Sequence, residues 1–235
     1  MKKIQGWLWC WIWRSVAIFF ALLFLYQVWL FAHICWWAKF NPASSAFMET
    51  RLEIMQGKNP DAALQQQWVP YTKISDHLKR ALIAAEDANF VDHEGFDWEG
   101  IQKAYAKNLK RGKIVAGGST ISQQLAKNLF LSTKRTPWRK LEEAAITLML
   151  EIVMDKQRIF EIYLNVIEWG NGVFGAEAAA HHYFQVNASQ LSASQAATLA
   201  AMVPNPRYYD KHREARGLLR KTDIIMARMD DAEIP

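Results

Sequence analysis

The stretch A-A-E-D-A-N-F-V-D-H-E-G-F-D, residues 84–97, decides how this chain is interpreted. Before it, Leu78 and Leu82 recur at helical spacing. Glu86 follows Leu82 by one helical turn, so its carboxylate shares the apolar side of that helix. A carboxylate shielded from water tends to have a raised pKa, which suits a general base. The alternative is an ordinary acidic pair on the surface at a helix end.

Composition points to one domain with an appendage and an anionic partner. The 235 residues are 51% hydrophobic and 13% aromatic, both above ordinary globular usage. The net charge of +5 suits phospholipid, nucleic acid or a phosphorylated substrate. The two cysteines, Cys10 and Cys35, stand near opposite ends of one apolar segment. The rest of the chain therefore has neither a disulfide framework nor a cysteine metal site.

An apolar segment near the N-terminus predicts a membrane-spanning helix. Residues 15–32 contain no formally charged residue, and about 20 such residues cross the hydrocarbon core of a bilayer. Tryptophans flank the segment like interfacial belts: Trp11, Trp13, Trp36 and Trp37. A cleaved signal peptide is the competing interpretation, but it would have a shorter core and a small-residue cleavage site. We expect an uncleaved transmembrane anchor over residues 15–37.

The distribution of basic residues predicts the orientation of this anchor. Three of them precede the segment: Lys2, Lys3 and Arg14. Only Lys39 follows it closely, so the positive-inside rule places residues 1–14 in the cytoplasm. The remainder then lies outside, in the periplasm of a bacterium with two membranes. We expect a connector over residues 38–68 and the main domain over residues 69–235.

A glycine-preceded helix start follows in the stretch G-G-S-T-I-S-Q-Q-L-A-K, residues 117–127. Thr120 with Gln123 fits a capping box. Thr120, Gln124 and Lys127 fall on one polar stripe, at a helix N-terminus that favours anions. The stretch predicts a phosphate or pyrophosphate site, although it does not match the nucleotide P-loop pattern. The alternative is a simple turn before a helix.

A second acidic group, Glu143, lies near the start of another helix. Arg139 precedes Glu143 by four residues, which is the spacing of a helical ion pair worth about 0.2–0.5 kcal/mol. The functional alternative is a carboxylate held against a basic cluster with Lys127 and Arg135. Residues 144–154 are apolar almost all round, which predicts burial on most faces of the helix.

Helical patterns account for most of the remaining chain. Asp97 is a good N-cap for a helix with an apolar stripe and many lysines. Pro137 after Thr136 and Ser192 with Gln195 indicate two further helix starts. Other helices are predicted at residues 156–167, 174–183 and 211–228. No stretch predicts a strand, so the sequence indicates an all-α fold.

Five segments in order resemble the peptidoglycan glycosyltransferase family, as found in bifunctional penicillin-binding proteins. They are E-D-A-N-F-V-D-H-E-G, G-G-S-T-I-S-Q-Q-L-A-K-N-L, R-K-L-E-E-A, the stretch K-Q-R-I-F-E-I-Y-L-N-V-I-E-W-G-N-G and L-S-A-S-Q-A-A-T-L-A-A-M-V-P-N-P. The resemblance covers about Val69 to Tyr209. No S-x-x-K pattern of a transpeptidase is present, so the chain resembles the monofunctional members. Phe160 departs from the aliphatic residue of many members, which we expect to alter only packing.

The resemblance implies a lysozyme-like helical glycosyltransferase domain beside the membrane that polymerises lipid II. Glu86 matches the base that activates the acceptor. Glu143 matches a second acidic group that either holds a divalent cation, Mg²⁺ or Mn²⁺, or orients donor groups. Five positions match residues that bind the donor pyrophosphate and sugar: Thr120, Gln124, Lys127, Arg135 and Arg139. Three positions match the acceptor side: Asp87, Phe90 and His93.

The resemblance also implies partners and leaves rival functions open. The expected partners are lipid II, the growing glycan strand, the membrane and other cell-wall synthesis or division proteins. We expect neither an organic cofactor nor nucleic acid. One rival is a lysozyme-like hydrolase or lytic transglycosylase, which needs no basic set because its leaving group is a sugar. The other is a non-catalytic membrane-anchored scaffold.

Overall fold

The computed structural model describes residues 2–113, 117–131 and 136–235 of the chain. These residues form two compact units. The first unit ends at Phe40, and the second runs from Asn41 to Pro235. The predicted all-α fold is confirmed, because helices dominate both units.

Helix α1, Lys2–Trp37, makes up most of the first unit. Its part from Trp11 to Trp37 has 27 residues and a mean hydropathy of 2.1. In the described part of the chain it is the one helix long and apolar enough to cross a membrane. This finding is consistent with the predicted anchor over residues 15–37.

The second unit contains ten helices among its described residues. They are α2 Ala46–Gln56, α3 Asp76–Glu86, α4 Trp98–Arg111, α5 Ile121–Phe130, α6 Pro137–Val153, α7 Lys156–Val166, α8 Ala176–Phe184, α9 Ala193–Met202, α10 Pro206–Lys211 and α11 Arg216–Met226. The side chains predicted to cap helix starts do so. Asp97 accepts from Gly100 N–H, Thr136 accepts from Arg139 N–H, and Ser192 forms a capping box with its third helical residue.

The core lies where α3 meets α9 and α11, and where α5 meets α6 and α7. Leu78 and Leu82 of α3 are fully buried, as their helical spacing predicts. An aromatic cluster fills the space beside α7. There the ring centroids of Phe90 and Phe160 are 5.5 Å apart, and those of Phe160 and Tyr163 are 6.2 Å apart. This cluster ties the segment after α3 to α7.

A small sheet corrects the prediction that the chain has no strand. Its strands are β1 Gln65–Gln66, β2 Glu168–Gly170 and β3 Val173–Phe174, in the order β1-β3-β2. β1 is parallel to β3, and β2 is antiparallel to it. Strands of two or three residues are too short to give an alternating pattern in the sequence. Gly172 in the turn has φ +80°, a conformation that side chains with a Cβ rarely adopt.

The prediction that residues 144–154 are buried on most faces misses one exposed side of the helix. In α6 Leu148 is 50% exposed and Ile152 is 77% exposed. Trp138 and Leu141 extend the same exposed apolar stripe toward the start of the helix. An apolar pattern shows that a helix side avoids charge, but it does not show that a neighbouring element covers that side.

Two other predictions about helices need revision. The apolar side of α4 is mostly exposed to solvent, since Trp98, Tyr105 and Leu109 are all exposed. The basic helix predicted over residues 211–228 is shorter than predicted, because α11, Arg216–Met226, is the described α-helix that lies within that range. α10 begins earlier, at Pro206, and the chain turns between His212 and Ala215. The second unit also begins before residue 69, because α2 packs against α5 and β1 pairs with β3.

Candidate active site

Glu86 ends helix α3 and faces a cleft of the second unit. The aliphatic residues one and two turns before it anchor the helix in the core. Its carboxylate is partly buried, and its Oε2 accepts a hydrogen bond of 2.8 Å from Gln124 Nε2. Burial raises the pKa of Glu86, while the bond from Gln124 and the positive charges of Lys221 and Lys127 oppose that rise. The net shift is upward, as the apolar position predicts.

Asp87, the next residue, has a different environment. Its carboxylate is buried and accepts from His93 Nε2 at 2.9 Å and from the backbone N–H of Ile121 at 2.9 Å. The second bond satisfies a free N–H at the start of α5. Asp87 therefore connects the end of α3 to the start of α5, and both its partners are protein groups.

Phe90 and His93 shape the loop between α3 and α4 from inside. Phe90 is fully buried against Phe160. His93 Nδ1 accepts from Gly95 N–H at 3.1 Å, so the ring hydrogen lies on Nε2 and points to Asp87. The loop closes on Gly95, where φ is +86° and an added Cβ would lie 2.8 Å from Thr147 Cγ2. These residues hold the loop that carries the positions predicted to face the acceptor.

The start of α5 lies beside this loop. Thr120 caps the helix, and its capping box with Gln123 is confirmed. The Thr120 hydroxyl also donates to the carbonyl of Gly95 at 2.6 Å. Gly118 approaches α4 closely, since a Cβ there would meet Ile101 Cα at 3.1 Å. The glycines and the cap thus bring α5 against the loop after α3.

Lys127 connects the two carboxylates of the site. It lies two turns into α5, on the side of Gln124, and it is partly buried. Burial lowers the pKa of its ammonium, while the negative charges of Glu143 and Glu86 oppose that shift. The charges of both carboxylates act on this ammonium, so residues 86, 127 and 143 lie in one region of the second unit.

Glu143 is buried and ion-paired in the second turn of α6. Its Oε2 lies 2.9 Å from Arg139 Nη1, and its Oε1 pairs with Lys140 Nζ. Arg139 Nε is buried without a hydrogen-bond partner in the part of the chain that the structure describes. Arg135, which sequence analysis includes in the basic set, lies outside the described residues.

The surroundings of Glu143 do not fit a resident divalent cation. Both of its carboxylate oxygens already face cationic side chains. Across residues 2–113, 117–131 and 136–235 no group of three or more His, Cys, Asp or Glu side chains could hold a metal ion. We therefore derive no step of the reaction through a metal held by this residue.

Two cavities meet at the pair of Glu86 and Gln124. The first, of about 210 Å³, is lined by Ala84, Ala85, Glu86, Asp87, Ala88, Asp97, Gly100, Gly117, Gly118, Ser119 and Thr120. The second, of about 190 Å³, is lined by Phe47, Gln124, Lys127, Asn128, Ile167, Glu168, Val203, Pro204, Asn205, Pro206 and Arg207. Each cavity is thus lined by one member of the hydrogen-bonded pair.

Sequence reasoning missed three groups of this site. Lys140 is the second cation on Glu143, and its spacing of three residues was a usable signal. Lys221 reaches the electrostatic surroundings of Glu86 from α11, and nothing local in the sequence indicates it. Tyr163 donates to Gln124 Oε1 at 3.1 Å. The helix predicted at residues 156–167 gave no indication of a role for its hydroxyl.

A shielded glutamate beside partly buried cations in an all-helical domain is typical of a carbohydrate-active enzyme that cuts or joins sugars with a carboxylate. The family model described as Transglycosylase matches residues 53–230, and the chain belongs to this family. The fold is accordingly lysozyme-like. The chain is a peptidoglycan glycosyltransferase of cell-wall synthesis.

Proteins named biosynthetic peptidoglycan transglycosylase are similar to this chain over almost its whole length. The one from Methylobacillus flagellatus is 72% identical over 223 residues, covering 95% of this chain and 97% of that protein. The one from Laribacter hongkongensis is 67% identical, covering 96% of this chain and 99% of that protein. The one from Chromobacterium violaceum is 65% identical, covering 95% and 98%.

Proposed function

We propose that this enzyme polymerises lipid II by a single inverting displacement with Glu86 as the general base. Glu86 takes the proton from the 4-hydroxyl of the acceptor sugar, and that oxygen attacks C1 of the donor sugar. A β-1,4 bond forms as the bond from C1 to the pyrophosphate oxygen breaks, which releases undecaprenyl diphosphate. The observation that carries the proposal is the partly buried Lys127, on whose ammonium the charges of Glu86 and Glu143 both act.

The charges at Lys127 suit a pyrophosphate leaving group. The Arg139 guanidinium is already held by Glu143 before the substrate arrives, and together with the Lys127 ammonium it stabilises the charge that develops on the departing oxygen. The buried Nε of Arg139 supplies one more donor for a phosphate oxygen. Glu143 holds Arg139 and Lys140 in place, which supports its role in orienting the donor-side groups.

Two cavities, one lined by Glu86 and the other by its hydrogen-bond partner Gln124, suit a reaction with two sugar substrates. The cavity beside Glu86 is bounded by the loop of Asp87 and by the start of α5. The cavity beside Lys127 is lined by amides and a guanidinium, which match hydroxyl and acetamido groups. We assign the acceptor to the first and the growing strand on its pyrophosphate to the second. Space on opposite sides of the reacting centre is what an inverting displacement requires.

The same geometry bears on the rival functions. A hydrolase or lytic transglycosylase expels a sugar and gains nothing from a buried ammonium beside its base. A scaffold needs no shielded carboxylate, and burying one costs stability. The decisive experiment incubates the full-length enzyme with labelled lipid II and Mg²⁺ and looks for polymer. Release of fragments from purified cell wall without any polymer would support the hydrolase instead.

We extend the proposal to the location of the enzyme. The anchor would place the N-terminus in the cytoplasm and the second unit in the periplasm, at the inner membrane. The exposed apolar side chains of α4, Trp98, Tyr105 and Leu109, suit contact with a bilayer that carries the lipid-linked substrate. The basic residues of α4 suit anionic headgroups. We still expect other cell-wall synthesis or division proteins as partners, and we do not expect nucleic acid as a partner.

A further inference from the structure

Three side chains from three helices form a chain of hydrogen bonds that ends at the proposed base. Tyr163 of α7 donates to Gln124 Oε1 at 3.1 Å. Gln124 Nε2 of α5 donates to Glu86 Oε2 of α3 at 2.8 Å. Tyr163 is fully buried, and its ring is stacked on Phe160. The chain therefore starts in the core and leads outward to the cleft.

Chemistry fixes the direction of both bonds. A carboxylate can only accept hydrogen bonds, so Gln124 must turn its NH₂ group toward Glu86. The amide oxygen then points the other way and needs a donor. The phenolic hydroxyl of Tyr163 supplies it. Without that hydroxyl, the amide of Gln124 would lose the contact that selects this orientation over the flipped one.

We propose that Tyr163 is a positioning residue for the reaction, because its hydroxyl holds the amide of Gln124 in the orientation that supports the charged Glu86 carboxylate. The statement that Glu86 is the base rests on the function proposed above. The hydrogen-bond relay itself is a property of the folded protein and can be measured without any turnover.

The other charges around Glu86 set the background against which the relay acts. Asp87 follows it in the chain, Lys127 faces it from α5 and Lys221 from α11. Of the other elements that pack on α3, α9 carries no charged side chain, and the turn Met229–Asp231 carries Asp230 and Asp231. None of these groups takes part in the two bonds of the relay. Replacing Tyr163 by Phe therefore changes the hydrogen bonding and leaves the formal charges unaltered.

Removal of the hydroxyl should make the Glu86 carboxylate harder to ionise. A flipped Gln124 would present its oxygen to the carboxylate, and an unanchored Gln124 would donate more weakly. In both cases the charged form loses support, so the upward effect of burial on the pKa of Glu86 is opposed only by the charges of Lys221 and Lys127. Because the effect passes through Gln124, we expect Tyr163→Phe to shift the pKa by about half a pH unit and Gln124→Ala by about one unit, both upward.

The experiment is a carbon NMR titration of the glutamate carboxyl groups in the full-length protein in detergent micelles. Glu86→Gln identifies the Glu86 resonance by its disappearance. The wild type, Tyr163→Phe, Gln124→Ala and the double variant are then titrated from low to neutral pH. We expect the upward shifts given above. We also expect the double variant to match Gln124→Ala, because Tyr163 acts only through Gln124.

Tyr71→Phe is the matched control. Tyr71 is also buried beside Phe160, with ring centroids 6.3 Å apart, but its hydroxyl donates to the Pro235 carbonyl at 2.8 Å. It should leave the Glu86 titration unchanged, and thermal unfolding should show all variants folded. The inference is overturned if Tyr163→Phe titrates like the wild type, or if it still shifts the titration in the Gln124→Ala background.

A second measurement keeps this result separate from the proposed function. The pH profile of lipid II polymerisation should show its acid limb displaced upward in Tyr163→Phe, with the plateau within about twofold of wild type. If the Glu86 titration shifts in Tyr163→Phe but the wild type does not polymerise lipid II, the hydrogen-bond relay is supported and the proposed function is refuted. If the wild type polymerises lipid II but the titration does not shift, the proposed function is supported and the relay is refuted.

Discussion

Glu86 and Glu143 both influence Lys127, but their own surroundings differ. Glu86 is in hydrogen-bonding contact with the neutral amide of Gln124, and burial raises its pKa. Glu143 is buried between two cationic side chains, Arg139 and Lys140. One carboxylate is thus kept ready to take a proton. The other is held as a charged partner of the residues that we propose bind the phosphates.

The two side chains are chemically identical, so the difference in their surroundings determines which role each of them can have. A base must gain a proton during the reaction, so strong cationic partners would work against it. A group that organises cations must stay charged, so the same partners favour it. The surroundings assign the roles here, and the predictions below test that assignment.

The largest expected effect is that of Glu86→Gln on activity. The amide keeps the shape of the side chain and a hydrogen-bond acceptor for Gln124, but it cannot take a proton. We expect polymerisation of labelled lipid II to fall by about three orders of magnitude. If the variant polymerised lipid II at the wild-type rate, Glu86 would not be the general base. The proposed difference in role between Glu86 and Glu143 would then be wrong.

Glu86→Gln also has an expected signature in stability. A carboxyl whose folded pKa lies above its unfolded pKa stabilises the fold at low pH, and this stability is lost as the pH rises between the two values. At neutral pH the charged Glu86 therefore destabilises the fold. We expect the unfolding temperature of Glu86→Gln at pH 7 to equal or exceed that of the wild type, so that a loss of activity cannot be attributed to unfolding.

The second prediction concerns the ammonium between the two carboxylates. Lys127→Met should lower polymerisation by about two orders of magnitude, because a preorganised charge next to the leaving group is lost. Initial rates with labelled lipid II measure this. Lys73→Met is the control, since Lys73 is exposed and belongs to a short turn before α3. Equal effects of the two substitutions would contradict a local role for Lys127.

The third prediction concerns Glu143→Gln, with a smaller effect on rate and a larger one on stability. The change leaves Arg139 and Lys140 without their shared anion. We expect a loss of activity of about tenfold and a loss of about 1–3 kcal/mol in the free energy of unfolding. Initial rates and denaturant unfolding measure the two effects.

Glu99→Gln is the matched control for this substitution. Glu99 pairs with Lys103 at the same spacing of four residues as Glu143 and Arg139, but both side chains of that pair are about 70% exposed. Water screens such a pair, so neither activity in detergent nor stability should change measurably. If the buried and exposed pairs responded alike, the interpretation of Glu143 as an organiser of cations would be wrong.

The parts of this site that the sequence predicts are those set by short-range rules. The position of Glu86 on the apolar side of α3 and the caps at Asp97, Thr120 and Thr136 depend on residues within about one turn. The family motifs then supplied the roles that local rules could not. The exposed side of α6 was missed because periodicity does not reveal which apolar face lacks a neighbour.

Contacts between distant residues could not be predicted in the same way. Gln124 meets Glu86 across 38 positions and Tyr163 across 39. These contacts exist because α7 packs against α5 and the end of α3 reaches α5 at Glu86, and no pattern within any one helix records that arrangement. Lys221 is a further example of such a long-range contact. Its charge acts on Glu86 from α11, although the sequence around Lys221 looks like an ordinary basic surface.

The smallest expected effect, and the finest test of the comparison, is the pH dependence of the wild type and of Glu143→Gln. Glu86 must be unprotonated to act, and burial raises its pKa, so the rate should fall with decreasing pH while still above the ordinary glutamate range of about 4 to 5. In Glu143→Gln the plateau should be lower but the midpoint of this acid limb should hardly move, because the group that titrates is unchanged. Initial rates of lipid II polymerisation at several pH values measure both quantities. A limb that vanished with Glu143 would assign the proton to Glu143 and reverse the roles of the two carboxylates.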